Sequence, residues 1–585
     1  MPQQQEFLYK FFVKINNQNV PQEFIDDLAE VVVDTGLYLP EMFTIQLNDP
    51  QLKWVDDERL ALGKEVEISA QTAGEAGGQR GALMKGEITA LEPAFSAEGA
   101  TTLLLRGYNK SHRLHRGRKT RTFQRQTDSA IVQTIAAEVG LTPQVDATRI
   151  IYDHVLQNNQ TNMEFLQTRA ERIGYQVFAA EGKLYFKKGE ASLGHGPELA
   201  LGETLVNFRP SLAATHQTKK VTVRGWDAKL KQPITGEAAP DETMKQGGQS
   251  ETGGAAAESA FRDQPEVTIV NRPVFTPDEA TALAKGLVND LSGEFILAEG
   301  ECAGDPGLKP GYKITITGVG QRFSGQYFVT AATHIYNKEG YTTHFTISGR
   351  QPLTVSHLLE TANGGEGSRG QVQGVAVGLV TNLNDPDNLG RVKVKYPWLG
   401  DDIESDWVKI AAPGAGAQRG LYYLPEVNDE VLVAFEHGDV HRPYIVGGLW
   451  NNQDKPPKPN NQATQQGTVN ERIIQSRSGH LLILDDTSGQ EKIVIRDKTN
   501  QNELVIDSAA NSMTIKVNGD FTVEARGKIT LNSLQDLSVD SKTNGTIKAL
   551  NLTLEGSTKG TLKGATVGVE GSALAEVKAA LVKLN

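Results

Sequence analysis

From about residue 515 onward, apolar residues recur on a period of eight. Val523, Leu531, Val539 and Ile547 are spaced by eight; Leu554 and Leu562 continue after a one-residue slip, and Val569 and Val577 after another. A second apolar residue often stands two positions earlier, as at Phe521, Ile529, Leu537 and Leu552. A fixed period marks a repeat architecture. Eight residues are too few for a helix pair, and V-T-V, I-T-L, L-S-V and L-T-L favour strands. Composition narrows the choice. The chain has 24 prolines and 38 aromatics (5 Trp, 14 Tyr and 19 Phe), yet beyond residue 470 there is no proline and one aromatic, Phe521. Ordinary cores lean on aromatic bulk. A lone strand-turn repeat also leaves unpaired edges. Two closures remain: a one-chain β-solenoid, which usually needs longer coils, or three chains wound into a triangular prism. The short unit and the scarcity of rings favour a thin trimeric prism. Its expected core is Phe521, Val523, Ile529, Leu531, Leu537, Val539, Ile547, Leu552, Leu554 and Leu562. Strands wound together cannot part without unthreading, so such a shaft is expected to be kinetically very stable.

The 585 residues suggest about four domains at roughly 150 residues each. A net charge of −12 argues against a nucleic-acid binder, which is usually basic. The single cysteine, Cys302, excludes an intrachain disulfide framework and a cysteine zinc cluster. No apolar run reaches about 18 residues, so no membrane-spanning helix is indicated. The N-terminus lacks the basic start and long apolar core of a secretory signal, so the expectation is synthesis in a bacterial cytoplasm without a signal peptide. Polar, Gly-rich or Gln/Asn-rich stretches at 236–264, 361–370 and 451–468 read as loops or linkers. They divide the chain into residues 1–360 with a flexible loop at 236–264, 371–455, a linker at 456–470, and the repeat at 471–585.

Before residue 361 the pattern is α+β, mostly β, in two expected subdomains. Thr161 and Glu164 stand at capping-box spacing ahead of a helix to Ile173, with Gly174 placed to end it. Thr276, Pro277 and Glu279 open a second helix to Leu291. Asp128–Val139, closed by Gly140, is a third. Tyr312–Thr317 and Phe328–Tyr336 read as strands. In 371–450, Val392, Val394 and Tyr396 alternate with basic residues, and Val431, Val433 and Phe435 alternate likewise. Five or six short strands separated by turn residues suit a small barrel of the OB type.

These stretches carry a resemblance. Gly107–Phe123 (GYNKSHRLHRGRKTRTF), Ile151–Phe178 (IYDHVLQNNQTNMEFLQTRAERIGYQVF) and above all Leu424–Asn451 (LPEVNDEVLVAFEHGDVHRPYIVGGLWN) resemble the VgrG-type central spikes of contractile injection systems, which correspond to fused phage hub and spike proteins. The segment Val33–Ile45 looks closer to the extracellular, phage-tail-like branch. The resemblance implies a mainly β chain. It would have an α+β hub of two β-barrel-like subdomains with helices, an OB-type barrel, and a C-terminal triple-stranded β-helix needle. It implies a homotrimer that docks on the inner tube and other baseplate proteins. A PAAR-type tip protein would sit at the C-terminal end, with effector cargo in some systems, and sheath contraction would drive the spike through a target envelope. The expected role is mechanical, with no enzyme activity and no cofactor. A lysozyme domain between barrel and needle, or an effector enzyme after the needle, occurs in some relatives; the linker at 451–468 is too short for the first, and no further domain is read after the last repeat.

Lys110, Arg113, Arg116, Arg118, Lys119, Arg121 and Arg125, with His112 and His115, form a basic run without interleaved aromatics. It reads as an inter-subunit or tube-docking surface, with a solvated face or a nucleic-acid site as alternatives. His437 and His441 flank Asp439; on a strand-turn-strand they do not share a face, so a turn is expected rather than a metal. No H-E-x-x-H, Walker A loop or G-x-S-x-G elbow occurs, and Cys302 reads as a buried small residue. No catalytic or metal residue is assigned. The alternative class is a trimeric, β-helical tail-spike enzyme acting on polysaccharide, which needs stacking aromatics and paired acids that the tail does not supply. Leu581, Val582 and Leu584 are the expected contacts for a tip protein.

Overall fold

Strict apolar-polar alternation builds the main sheet of the hub. In Leu28–Gly36 and Met42–Asn48 the inward positions Val31, Val33, Phe43 and Ile45 are fully buried while their neighbours are half-buried, the period-2 signature of a strand with one core face. The computed structural model describes residues 10–72, 80–97, 101–188, 192–227, 230–242, 245–262, 266–349 and 371–583. They fall in two units, Met1–Pro456 and Pro457–Asn585. The linker read at 361–370 lies outside the described residues.

The fold is mostly β with few helices. One eleven-stranded sheet runs through the hub in the order Leu205–Leu212, Ile296–Ala303, Gly340–Ile347, Ala331–Asn337, Leu28–Gly36, Met42–Asn48, Thr102–Tyr108, Arg80–Ala94, Glu65–Gln71, Lys10–Ile15, Gln18–Asn19. The two barrel-like halves expected from sequence therefore share a sheet. Their joint is the antiparallel pair that sets Thr333 opposite Asp34 and Ile335 opposite Val32, fastened by Thr35 Oγ1 donating to Ala332 O at 2.9 Å. Strand Phe328–Tyr336 proves to be two, Gly325–Phe328 and Ala331–Asn337.

The three expected helices form where their caps stand. Asn162–Arg172 has the complete capping box of Thr161 and Glu164. Pro277–Gly293 starts on Thr276, whose hydroxyl accepts from Glu279 N at 3.1 Å. Asp128–Val139 is capped by Thr127 and ends at Gly140 with φ +74°. Gly174, at φ +66°, is required twice over: a Cβ there would lie 2.3 Å from Ala282 O of the neighbouring helix. The stretch 236–264, read as a flexible loop, contains instead the end of strand Gln232–Ala238 and a helix, Gly253–Phe261. Its glycines, Gly253 and Gly254, press onto Gln217 and Thr218, a close approach that composition alone disguises as a linker.

Residues 375–448 form a five-stranded sheet in the order Lys393–Lys395, Val375–Asn382, Glu430–Phe435, Pro443–Gly448, Lys409–Ile410. Its core holds Val392, Val394, Tyr396, Val431 and Val433, all fully buried as the alternation predicted, together with Val380.

The second unit differs from the expected repeat in its first part. Glu471–Gln475, Leu481–Asp485, Lys492–Arg496, Glu503–Asp507 and Ser512–Lys516 make a five-stranded antiparallel meander, not octads. The octads begin after it. Bends start at 518, 526, 534, 542, 550, 557, 565, 572 and 580, so the steps are eight residues with a step of seven at 550–557 and at 565–572. These are the two slips seen in the apolar pattern. No strand forms among the described residues from 517 onward, because extended segments of one copy have no neighbour to accept their backbone hydrogen bonds.

Candidate functional site

Two places gather the chemistry. The first is the junction of the hub with the barrel, built around the turn Gly438–Pro443. Glycine permits φ +77° at Gly438, beside His437 at φ +50°, so the chain reverses sharply and directs Asp439, His441 and Arg442 at the hub. His441 Nδ1 lies 3.0 Å from Asp439 Oδ1, and its Nε2 accepts from Leu156 N at 2.9 Å. An accepting Nε2 makes this a neutral imidazole with its proton on Nδ1. It is an orienting contact of the turn. Leu156, from hub strand Tyr152–Gln160, packs within the core of the barrel.

Arg172, at the C-terminus of helix Asn162–Arg172, ties three elements together. Its Nε donates to Glu279 Oε1 at 2.7 Å and its Nη1 to Asp439 Oδ2 at 3.4 Å. Arg442 donates to Val274 O at 2.6 Å and pairs with Glu436 at 3.1 Å. Both guanidiniums lie over the Phe275 ring, at 4.9 Å and 4.3 Å. One turn earlier on the helix, Arg169 donates to buried Asp128 at 2.6 Å and covers the Tyr152 ring at 4.4 Å. Burial alone would raise the Asp439 carboxyl; Arg172 and His441 outweigh it and hold it well below the carboxylate range. Burial would likewise lower Arg172, but Asp439 and Glu279 raise it. Buried charges at such distances hold only while every partner is present. A cavity of about 260 Å³ lies beside them, walled by Ile150, Val155, Val440 and Pro443. Among the described residues no group of three or more His, Cys, Asp or Glu is arranged to hold a metal.

The basic run lies on the 3-10 turn Lys110–His115 and strand Lys119–Gln126. Four of its cations are engaged within the chain. Arg113 forks onto Glu87 at 2.7 Å, Arg118 meets Glu164 at 3.2 Å, and Lys119 and Arg121 share Glu138 at 3.0 Å and 2.5 Å. Lys110, Arg116 and Arg125 are exposed. Cys302 is fully buried, and burial pushes its thiol up to about 12.

The second place is the second unit. Phe521, Val523, Ile529, Leu531, Leu537, Val539, Ile547, Leu552, Leu554 and Leu562 are all more than half exposed in the single chain, with Val539 at 88 %. Leu581 and Val582 are exposed as well; Leu584 lies outside the described residues. The meander carries an apolar face that sequence reading missed, although the runs LLIL, KIVI and ELVI were its signal. The junction was missed too. Its turn was recognised as a motif, but Arg172, Glu279 and Phe275 sit far away in the chain.

The hub matches a described family along residues 41–338, the Alg8 N-terminal domain. This is more than half of the sequence. The chain belongs to the Alg8 N-terminal domain family. Within the same chain, residues 376–450 match the type VI secretion system/phage-baseplate injector OB domain, which is the five-stranded barrel with its Gly438–Pro443 turn. Among curated relatives of this family member, the type VI secretion system spike protein VgrG1a of Pseudomonas aeruginosa is 27% identical over 224 residues, 31% of this chain and 34% of the relative. The actin cross-linking toxin VgrG1 of Vibrio cholerae is 22% identical over 452 residues, 73% of this chain and 40% of the relative. The chain thus spans about two fifths or less of these relatives' own length. A solved Escherichia coli component of the type VI secretion system aligns with 75% of this chain and 99% of its own, at 16% identity and a TM-score of 0.45.

Proposed function

We propose that this chain is the structural spike and hub of a phage-tail-like contractile injection machine, working as a homotrimer. The observation that carries the reading is the second unit: a backbone bent every eight residues, with its apolar residues left in solvent. An isolated chain gains nothing from a regular row of exposed Val, Leu and Ile, and contiguous apolar surface of this kind marks an interaction site. Two further copies, each supplying one wall, cover that row and pair the strand edges. The core of this needle is then Phe521, Val523, Ile529, Leu531, Leu537, Val539, Ile547, Leu552, Leu554 and Leu562.

The likeness to VgrG spike proteins and the injector OB domain support the same reading. In it the hub docks on the inner tube and other baseplate proteins. Exposed Lys110, Arg116 and Arg125 face the partner, while Arg113, Arg118, Lys119 and Arg121 hold that surface in shape. The needle takes a PAAR-type tip protein through Leu581, Val582 and Leu584. Sheath contraction drives the assembly through a target envelope, and the chain itself performs no chemistry.

The test is mass in native solution with and without SDS. The expected result is about three times 63.5 kDa, persisting in SDS without heating. A stable monomer sinks the reading.

A further inference from the structure

The meander Glu471–Lys516 has two unlike faces. Strand pairing aligns Ile474, Leu482, Ile495, Leu504 and Ile515 in one ladder, and Arg472, Leu484, Ile493, Ile506 and Met513 in the next. Side chains alternate along a strand, so both ladders lie on one face. Nine of its ten residues are apolar, and Ile474, Ile495, Met513 and Ile515 are more than half exposed. The opposite face has a single ladder that is mainly apolar, Ile473, Ile483, Val494 and Val505, ending on Thr514. Charged residues flank it, with Arg496 on Glu503 at 3.2 Å and Lys492 near Asp485 at 3.7 Å. These long side chains and the turns leave Val494 and Asp485 buried on the second face, whereas the first face lies open to water.

The octads have a different problem. Between bends 518 and 550 every step is eight residues. Sliding one chain by a unit therefore brings Val523 to the level of Leu531, Leu531 to that of Val539, and so on. Apolar meets apolar again, so the register is weakly specified. The two seven-residue steps lie beyond 550 and do not discriminate along the first four units. The meander has no internal repeat, so its face has a single way to meet its copies.

We propose that the meander is the register-setting clasp of the needle, and that its apolar face is occupied by the same face of two further copies of this chain. This rests on the trimeric reading above. Strand spacing and rise make the face on the order of 400 Å². Three such faces sum to roughly 1,200 Å², at the lower bound for a specific interface. The apolar face is also continuous in sequence with the octad row, since Ile515 precedes Phe521 by six residues. One uninterrupted dry seam therefore starts at a unique element and continues into a repetitive one.

The experiment uses the full chain with one spin label on Lys548→Cys. Cys302 is buried with its thiol pushed up to about 12, so the folded chain labels at the new site. Pulsed dipolar distances are compared in three backgrounds: unaltered, Ile493→Asn with Ile506→Asn, and deletion of 534–541, one whole octad. The expected results are a trimer with one narrow distance in the unaltered chain and in the deletion, but several distance populations in the double variant. Loss of the trimer in the double variant with the hub still folded supports the clasp equally, since the octads then fail to assemble without it. A single narrow distance in a trimeric double variant overturns the clasp alone, as does a split that appears in the deletion instead. A monomeric unaltered chain overturns the trimeric reading itself.

Discussion

The hub–barrel junction and the needle solve the same problem in opposite ways. At the junction, charges taken out of water find partners within one chain: Arg172 reaches Glu279 and Asp439, and the ring of Phe275 covers two guanidiniums. Most of its cohesion comes from within the chain, although Arg169 Nη2, Arg172 Nη2 and Arg442 Nε are buried without a hydrogen-bond partner. In the needle the apolar residues are regular and uncovered, with Leu531 at 74 % exposure and Leu562 at 78 %. In the proposed trimer, cohesion there comes from other copies. The lesson concerns what a local defect does. A missing partner at the junction strands a buried charge, whereas a missing octad shortens a repeat whose neighbours remain alike.

The largest effect expected is on the needle. Truncation after residue 470 removes every exposed octad, and the SDS-resistant trimer should be lost while the first unit keeps its circular-dichroism spectrum; a truncated chain still trimeric in SDS breaks the comparison. Next comes Arg172→Ala. It leaves Glu279 and Asp439 buried without their cation, a loss of about 3–5 kcal/mol, read as a lower denaturant midpoint of the first unit and faster proteolysis between hub and barrel. The trimeric needle should survive it. An unchanged midpoint shows that the junction is not held by this network.

A third prediction concerns Glu41, in the same unit. Burial raises its carboxyl to about 7, against the lowering effect of Asn109, whose amide donates at 2.9 Å. The folded state therefore favours the neutral acid. That contribution is fully present below the unfolded value of 4.5 and is lost as pH rises through about 7. Glu41→Gln, which mimics the neutral form, should raise the melting temperature of the first unit at pH 8, by up to about 3 kcal/mol of stability. It should have little effect near pH 4, and the needle's resistance to SDS should not move at either pH. Equal shifts at both pH values would show that packing, not ionisation, is responsible. The smallest effect is expected from Thr161→Ala. It removes the capping box of the helix that carries Arg169 and Arg172, costing about 1 kcal/mol in a denaturant titration; its effect should be less than additive with Arg172→Ala if the cap acts by positioning that arginine.

Local grammar was legible in the sequence wherever it depends on near neighbours. Thr161 with Glu164 and Thr276 with Pro277 announce their helices because a cap acts within one turn. Val392, Val394 and Tyr396 reveal a buried face because strand geometry repeats every two residues. The octad and both its slips were readable because bends recur with the apolar positions. The helix at Gly253–Phe261 was not, since its glycines serve close contact with Gln217 and Thr218 and look like a linker until that neighbour is known.

The sequence by itself therefore determined the period of the needle, the ends of the main helices, the alternation of the barrel and the family resemblance. Only the tertiary structure decided that the two halves of the hub share one sheet, that the Gly438–Pro443 turn meets Arg172, and that Glu471–Lys516 is a meander with one apolar face. The physical reason is range. Caps and periodicities are set by residues a few positions apart. The pairing of Thr333 with Asp34, or of Asp439 with Arg172, depends on complementarity between segments separated by hundreds of residues, which no local pattern encodes.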